Sequence, residues 1–374
     1  MEKPIDPLLK NTVAVVAGAT RGAGRGIACM LGAAGATVYC TGRSVRGKPA
    51  SGQRPETIEE TAEHVTERGG VGYFAQVDHT DEKQVQAFFE RVKAEQGRLD
   101  LLVNDIWGGD ALTEWGKPFW QLSIEQGKLM LDRAVMAHII TSRYGVPLML
   151  PQRRGLVIEV TDGDVEINRH YRGNLFYDLA KISAMRLAMA MSQELRDHHI
   201  AALAITPGFL RSEAMLEHFS VNEDNWQDAA KIDPYFAESE SPFYVGRAVA
   251  ALAADSNILQ KSGGAFSSWQ LAEEYGFTDI DGRTPNFGRL MAEKSHERWL
   301  QLLAAIEHAL QAELDSGKIE FGHSEEELIL RTRKISAEQP SNWFSYKLTS
   351  VELLMGDLDE LAHQFERQVR SHFA

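Results

Sequence analysis

Thr12-Val-Ala-Val-Val-Ala-Gly18-Ala-Thr-Arg-Gly22-Ala-Gly24 opens on a short, apolar, β-branched run and passes straight into glycines, with a helical stretch following to about Ala34. A strand, a tight turn and a helix in that order leave backbone N–H groups at a helix N-terminus. No side chain blocks their approach, and the helix macrodipole favours negative charge there. The GxxxGxG spacing of Gly18, Gly22 and Gly24, with Thr20 and Arg21 between them, predicts a pyrophosphate-binding turn of the dinucleotide type. A plain glycine-rich turn is the alternative.

Outward from this turn the same alternation repeats. Strands are predicted at 37–40, 72–77, 99–103, 156–160 and 201–205. Helices are predicted at 55–68, 82–96, 127–150, 177–197 and 242–254. Six or seven strands alternating with helices imply an α/β fold, a doubly wound parallel sheet of Rossmann type, over residues 1–292. The stretch 210–241 loses this regularity and reads as a substrate lid over the carboxyl edge of the sheet. Residues 293–374 read as a helical C-terminal extension. One helix face there carries Trp299, Leu302, Leu303, Ile306, Leu310 and Leu314 and stops at Gly317. Ser324 and Glu327 have capping-box spacing, and Leu354, Leu358, Leu361, Phe365 and Val369 mark a last amphipathic helix.

Composition narrows the function classes. Among 374 residues, 53 acids against 39 bases give a formal charge of −14, which repels phosphate backbones and argues against nucleic acid as a partner. No apolar run approaches the roughly 20 residues of a membrane span, so no span is expected. The first residues carry neither a secretory nor a transit pattern, which makes the cytoplasm the expected location. Cys29 and Cys40 fall in a predicted buried helix and strand and read as core residues. The histidines include no HExxH pair, and no metal site is expected.

The end of the second strand reads Thr41-Gly42-Arg43-Ser44. Sites for NAD place an acid there to hold the ribose hydroxyls. With no acid present, a 2′-phosphate could meet the Arg43 guanidinium and the Ser44 hydroxyl, with Arg21 reaching from the first turn. This spacing favours NADPH over NADH. The alternative is that Arg43 and Arg46 are solvated loop charges.

Tyr177-Asp-Leu-Ala-Lys181 is a YxxxK motif on a predicted helix. Together with the glycine turn it makes residues 8–290 resemble the short-chain dehydrogenase/reductase family. The resemblance implies further roles for residues in the same order along the chain. Asp78 contacts adenine, Asn104 stands in the family's NNAG segment, Pro207-Gly208 is its PG motif, and Ser212 lies near the cofactor carboxamide. It also implies NADP(H) as cofactor, reversible carbonyl reduction and alcohol oxidation by hydride transfer, and a homodimer or homotetramer. The pair has its own physical basis, because positions four apart share a helix face. An ammonium beside a phenol stabilises the phenolate and lowers the pKa from about 10.

Two departures from the family pattern are visible. The place of its substrate-orienting serine falls on Asp162, with Thr161 beside it. Either Thr161 supplies the hydroxyl, or Asp162 acts as an acceptor or, if protonated, a donor, or it merely caps a turn with Gly163. Ala134 stands where many members carry a catalytic asparagine. His138, one turn on, is either a substitute in the proton relay or an ordinary helix residue. Trp107, Tyr171, Phe209 and Met215 are expected to form an apolar pocket for a small carbonyl or alcohol substrate. The rival reading, motivated by Asp162 and Ala134, is an NADPH-binding regulatory protein that has lost the chemistry.

Overall fold

A computed structural model of the chain describes residues 8–50, 54–169, 171–315, 319–325, 328–334, 343–348, 353 and 356–373. It divides into two compact units, Met1–Phe287 and Gly288–Ala374. The sequence reading places the change at 292/293, inside a helix that runs through Phe287–Ala309.

The first unit alternates β1 (Val13–Ala17), α1 (Gly22–Ala33), β2 (Thr37–Gly42), α2 (Ile58–Glu67), β3 (Val71–Gln76), α3 (Glu82–Gln96) and β4 (Leu101–Asn104). It continues with α4 (Ile124–Leu131), α5 (Ala137–Gly145), β5 (Gly155–Val160), α6 (Leu175–Leu195), β6 (Ile200–Thr206), α7 (Glu213–His218), α8 (Pro242–Ala254), β7 (Ala265–Ser267) and α9 (Ser268–Tyr275). The seven strands form one parallel sheet in the order β3-β2-β1-β4-β5-β6-β7. The sequence reading thus holds for the fold class and for the strands it named. β7, only three residues long, was not among them.

Period-two geometry explains the two cores. On β1, Ala14 and Val16 face one side with Ile27 and Leu31 of α1, Val65 of α2 and Val249 of α8. Val13 and Val15 face the other, with Phe88 and Phe89 of α3. β1 is buried on both faces, which is why its sequence reads as an unbroken apolar run. Cys29 and Cys40 are free and buried.

Two helices differ from expectation. The predicted helix 127–150 is α4 and α5 joined by a π turn at Asp132–Met136. After α5 it tightens into two short 3₁₀ turns that contain Pro147 and Pro151, which lack the N–H that continues a helix. The lid stretch contains α7 and two 3₁₀ turns around a small core of Phe219, Trp226, Ala229 and Phe236.

The second unit contains α10 (Phe287–Ala309), α11 (Gln311–Asp315) and α12 (Leu358–Phe373). It also holds an antiparallel sheet of β8 (Ile319–Ser324), β9 (Ile329–Lys334) and β10 (Phe344–Lys347) in the order β10-β9-β8. The expected helical faces are present, with Trp299, Leu302, Ile306, Phe365 and Val369 in one core. The sheet is an addition to the helical reading. Ser324 ends β8 instead of capping a helix, because Leu330 and Thr332 alternate inward with a strand's period. Gly317, Glu327 and Leu354 lie outside the described residues.

Helices α1 and α8 cross at backbone contact. A Cβ on Gly26 would stand 1.9 Å from the Pro242 carbonyl oxygen, and one on Gly246 would stand 2.5 Å from the Gly26 oxygen. Neither neighbour is a flexible side chain that can step aside. Gly26→Ala is therefore expected to destabilise the first unit by about 3 kcal/mol, as overpacking does, read as a lowered midpoint in denaturant unfolding.

Candidate active site

In the order β2-β1-β4, helices leave the sheet to opposite sides, and the crevice at the carboxyl ends of β1 and β4 is where open α/β sheets bind ligands. Gly18 ends β1 with a positive φ of 92°, and a Cβ on it would stand 2.1 Å from the Asp105 carbonyl oxygen just past β4. Only glycine lets the two loops close in this way. At the start of α1 no side chain of the helix's own N-cap, Arg21, serves the free N–H groups. The Gly22 N–H donates instead to Glu213 Oε2 of α7 at 2.8 Å. An acid 191 residues away thus sits where the helix dipole favours an anion.

Tyr177 and Lys181 lie in the first turns of α6, which Asn174 fixes by accepting the Phe176 and Tyr177 N–H groups at 3.1 Å each. The Lys181 Nζ stands 3.6 Å from the centre of the Trp107 ring and 5.3 Å from that of Tyr177. Trp107 and Trp115 flank the Tyr177 ring at 5.7 and 5.1 Å. A small cleft is lined by Asp105, Trp107, Ala134, His138, Thr161 and Lys181, among others. Ala134 faces it from the π turn, beside the lysine.

The Tyr177 hydroxyl donates a short hydrogen bond to Asp162 Oδ2. Arg172 grips the same residue, with Nη2 3.1 Å from Oδ2 and Nη1 2.9 Å from the main-chain oxygen. Thr161 Oγ1 donates to the Lys181 carbonyl at 2.7 Å and so is spent on α6. The Asp162 carboxylate, at the serine position, thus accepts from both Tyr177 and Arg172.

Electrostatics agree. Desolvation works to raise the Asp162 carboxyl, but the charges of Lys181 and Arg172 and the Tyr177 bond outweigh it and hold it below its usual value. With 49% of its side chain exposed, Asp162 keeps a solvent path. Burial, followed by the Asp162 charge and hydrogen bond, pushes the Tyr177 phenol well above its ordinary value, against the lowering expected from the lysine alone. Burial also lowers the Lys181 ammonium, opposed by Asp162, Asp110 and Asp105. Asp105 is pushed up to about 7, chiefly by burial, against a hydrogen bond from Gly24 and the charges of Lys181 and His138.

Other expected site residues are spread along the same edge but not all turned into it. Asn104 is fully buried and donates to Glu159 Oε1 at 2.7 Å and Ser142 Oγ at 2.9 Å. Arg21 pairs with Glu56 at 3.4 Å. Thr20 is buried, and the Ser44 hydroxyl accepts from Ala50 N–H at 3.1 Å. Asp78 accepts from Thr80 N–H and Oγ1 at 3.0 and 2.7 Å. Beyond Pro207, the Gly208 N–H donates to the buried Glu240 at 2.9 Å, and Ser212 caps α7. The expected aromatic pocket is not assembled as such. Trp107 lies against Tyr177, Phe209 and Met215 pack in the lid's own core, and Tyr171 is 54% exposed. The lid holds enough aromatics to satisfy itself.

His138 is more than an ordinary helix residue. Its Nε2 meets the Ile106 carbonyl at 3.0 Å and its Nδ1 meets Glu159 Oε2 at 2.5 Å, so both ring nitrogens face acceptors. Burial lowers its pKa, yet Glu159 and the Ile106 carbonyl raise it further, and the net direction is up. The pair ties α5 to β5 and the loop after β4, directly beneath the cleft. A glutamate inside the apolar run Leu156-Val-Ile-Glu159-Val was the sequence signal for it. Arg172 and Glu213 carried none, since Arg172 sits in a loop and Glu213 opens a short helix in the irregular stretch 210–241.

The family model described as short chain dehydrogenase matches residues 12–223, and the chain belongs to that family. It is 36% identical over 302 residues to dehydrogenase/reductase SDR family member 1 of Mus musculus, covering 78% of this chain and 92% of the mouse protein. The Homo sapiens protein of the same name is 34% identical over 304 residues, covering 79% and 92%. Among solved structures, a short chain dehydrogenase of Mycobacterium thermoresistibile matches with a TM-score of 0.62 at 21% identity, covering 75% of this chain and 92% of that one. A metagenomic short-chain oxidoreductase in complex with NADP matches with a TM-score of 0.52 at 22% identity, covering 67% and 93%. These two likenesses support the fold. Among the described residues no helix is long and apolar enough to cross a membrane. No cluster of three or more His, Cys, Asp or Glu suited to a metal occurs among them either.

The His138–Glu159 pair makes a pH-dependent contribution to stability. A histidine whose folded pKa is raised stabilises fully below its unfolded value of about 6.5 and loses that contribution as pH rises through the folded pKa. The stability difference between the wild type and His138→Gln should therefore be constant in acid and shrink above about pH 6.5. Denaturant melts across pH check this, and a difference that grows with pH would contradict it.

Proposed function

We propose that the protein is an NADPH-dependent oxidoreductase that interconverts a small, fairly apolar carbonyl compound and its secondary alcohol. The observation that carries this reading is the Tyr177 hydroxyl bonded to the Asp162 carboxylate, with the Lys181 ammonium 5.3 Å from the centre of the same ring. The glycine turn at the N-terminus of α1 and the missing acid after β2 fit a nicotinamide dinucleotide phosphate. Gly18, Gly22, Gly24, Arg43, Ser44 and Lys181 are the residues that would hold it. When bound, the nicotinamide supplies or accepts the hydride.

The proton is the chain's own task. In alcohol oxidation the substrate hydroxyl gives its proton to Tyr177 Oη as the phenol's proton passes to Asp162 Oδ2, and the half-exposed carboxylate returns it to water. In reduction the same path runs backwards. This route suits a phenol whose pKa is raised, because no free phenolate has to form. It also replaces a relay through the asparagine position, where Ala134 has no polar atom. Arg172 holds the acceptor in place, and Lys181 supplies positive charge beside the developing oxyanion.

The same raised phenol supports a second reading, a dinucleotide-binding regulatory protein without turnover. Turnover separates the two. Tyr177→Phe is expected to lower kcat at least 1,000-fold, on the order of what removing a positioned acid–base group costs, with dinucleotide affinity little changed. If the wild type binds NADPH but turns over no member of a broad carbonyl and alcohol panel, the regulatory reading replaces the enzymatic one. Asp162→Asn removes a negative neighbour from the phenol and so lowers its pKa. The alkaline limb of the oxidation profile should move to lower pH while kcat falls, whereas an unmoved limb would take Asp162 out of the proton path.

A further inference from the structure

Around the nucleotide edge of the sheet, most arginines are already neutralised. Arg21 pairs with Glu56, Arg25 with Glu60 at 2.7 Å, Arg46 with Glu63, and Arg54 with both Glu56 at 3.0 Å and Glu217. Two are different. Among the described residues neither Arg43, just past β2, nor Arg133, in the π turn between α4 and α5, has an ion-pair partner.

These two side chains converge. A Cβ built on Gly108, in the loop after β4, would stand 3.1 Å from Arg133 Cδ and 3.5 Å from Arg43 Nη2. Arg133 Nη1 donates to the Gly108 carbonyl at 3.0 Å, and the Arg43 main chain is held by Gln76 at 3.0 Å. Burial and then the Arg43 charge depress the Arg133 guanidinium, so the two repel each other where they stand. The acid near both is Asp78, whose Oδ1 is occupied by Thr80. In a chain with 14 more acids than bases, two guanidiniums brought together with no carboxylate in ion-pair contact mark a place for an anion from outside.

We propose that Arg43 and Arg133 form a clamp for a phosphate monoester, the 2′-phosphate on the adenosine half of the dinucleotide. This rests on the dinucleotide reading above and deepens it. Such a group carries a charge of roughly −1.5 to −2 near neutral pH, which matches two guanidiniums. Each planar fork can take two of its oxygens. A plain ribose hydroxyl would leave the arginines repelling each other, so the clamp selects for the phosphorylated cofactor. The partner of Arg43 is then Arg133, from a π turn 90 residues further along the chain, and not Arg21 of the first turn, whose charge Glu56 already answers.

Calorimetric titration with adenosine 2′,5′-bisphosphate and with 5′-AMP tests the clamp without depending on turnover. The wild type should bind the bisphosphate more tightly. Arg43→Ala and Arg133→Ala should each weaken the bisphosphate about tenfold and leave AMP within twofold, as expected for a lost charge-assisted bond. Arg133→Lys, which keeps the charge and loses the fork, should fall between. Equal losses for both ligands, or no loss, in Arg133→Ala would reduce Arg133 to a brace for the Gly108 loop and overturn the clamp alone. A wild type that binds neither fragment nor the whole dinucleotide would overturn the dinucleotide reading, and the clamp with it.

Discussion

β1 is hydrogen-bonded to a parallel strand on each side, and that double pairing organises the first unit. A strand buried on both faces and both edges has to be apolar throughout, and its polar backbone is satisfied only by neighbours in register. Because all seven strands run the same way, the loops after β1, β2, β4, β5 and β6 emerge along one edge. The glycine turn, Arg43, Asp105, Asp162 and Pro207 meet there although almost two hundred residues of sequence separate the first from the last. The close approach of Gly18 to the Asp105 carbonyl is the point at which this convergence is tightest.

Beneath that edge the interior holds charge instead of excluding it. Glu159 and His138 are both buried, and each would be costly alone. Together, with Asn104 donating to the other Glu159 oxygen and to Ser142, and the Ile106 carbonyl facing the second ring nitrogen, they form a hydrogen-bonded network that fixes α5 against β4 and β5. Above it the cleft carries a second set of paired charges, Lys181, Asp162 and Arg172, around the phenol of Tyr177. The upper set is partly solvated. The lower set is sealed, which suits a role in holding shape.

The same contrast governs the anion-binding groups. Surplus acid lets most arginines along the nucleotide edge find a carboxylate, and even the first N–H of α1 is met by Glu213. Among the described residues there, Arg43 and Arg133 are without an ion pair. Glu213 and Glu217 on α7 reach the glycine turn and Arg54, so the lid is fastened to that side of the crevice.

By itself the sequence determined the parallel α/β sheet, the glycine turn and the Tyr177/Lys181 spacing, because each follows from short-range rules: period two in strands, 3.6 in helices, and glycine where a Cβ would clash. The substitution of Asp162 and Ala134 was legible for the same reason, by counting along the chain from known landmarks. Tertiary structure decided what those residues touch. Thr161 turns to the Lys181 carbonyl and Asp162 to the phenol, Asn104 turns inward, Arg21 is neutralised, and Arg133 enters through a π turn that no regular periodicity announces. The hairpin of β8 and β9 was missed because a Ser-x-x-Glu spacing signals a helix start locally, while the alternation that makes it a strand is stabilised only by the core it packs against. Hydrogen bonds and ion pairs between residues far apart in sequence depend on the closing of the fold, and no local pattern encodes which partner each charge will find.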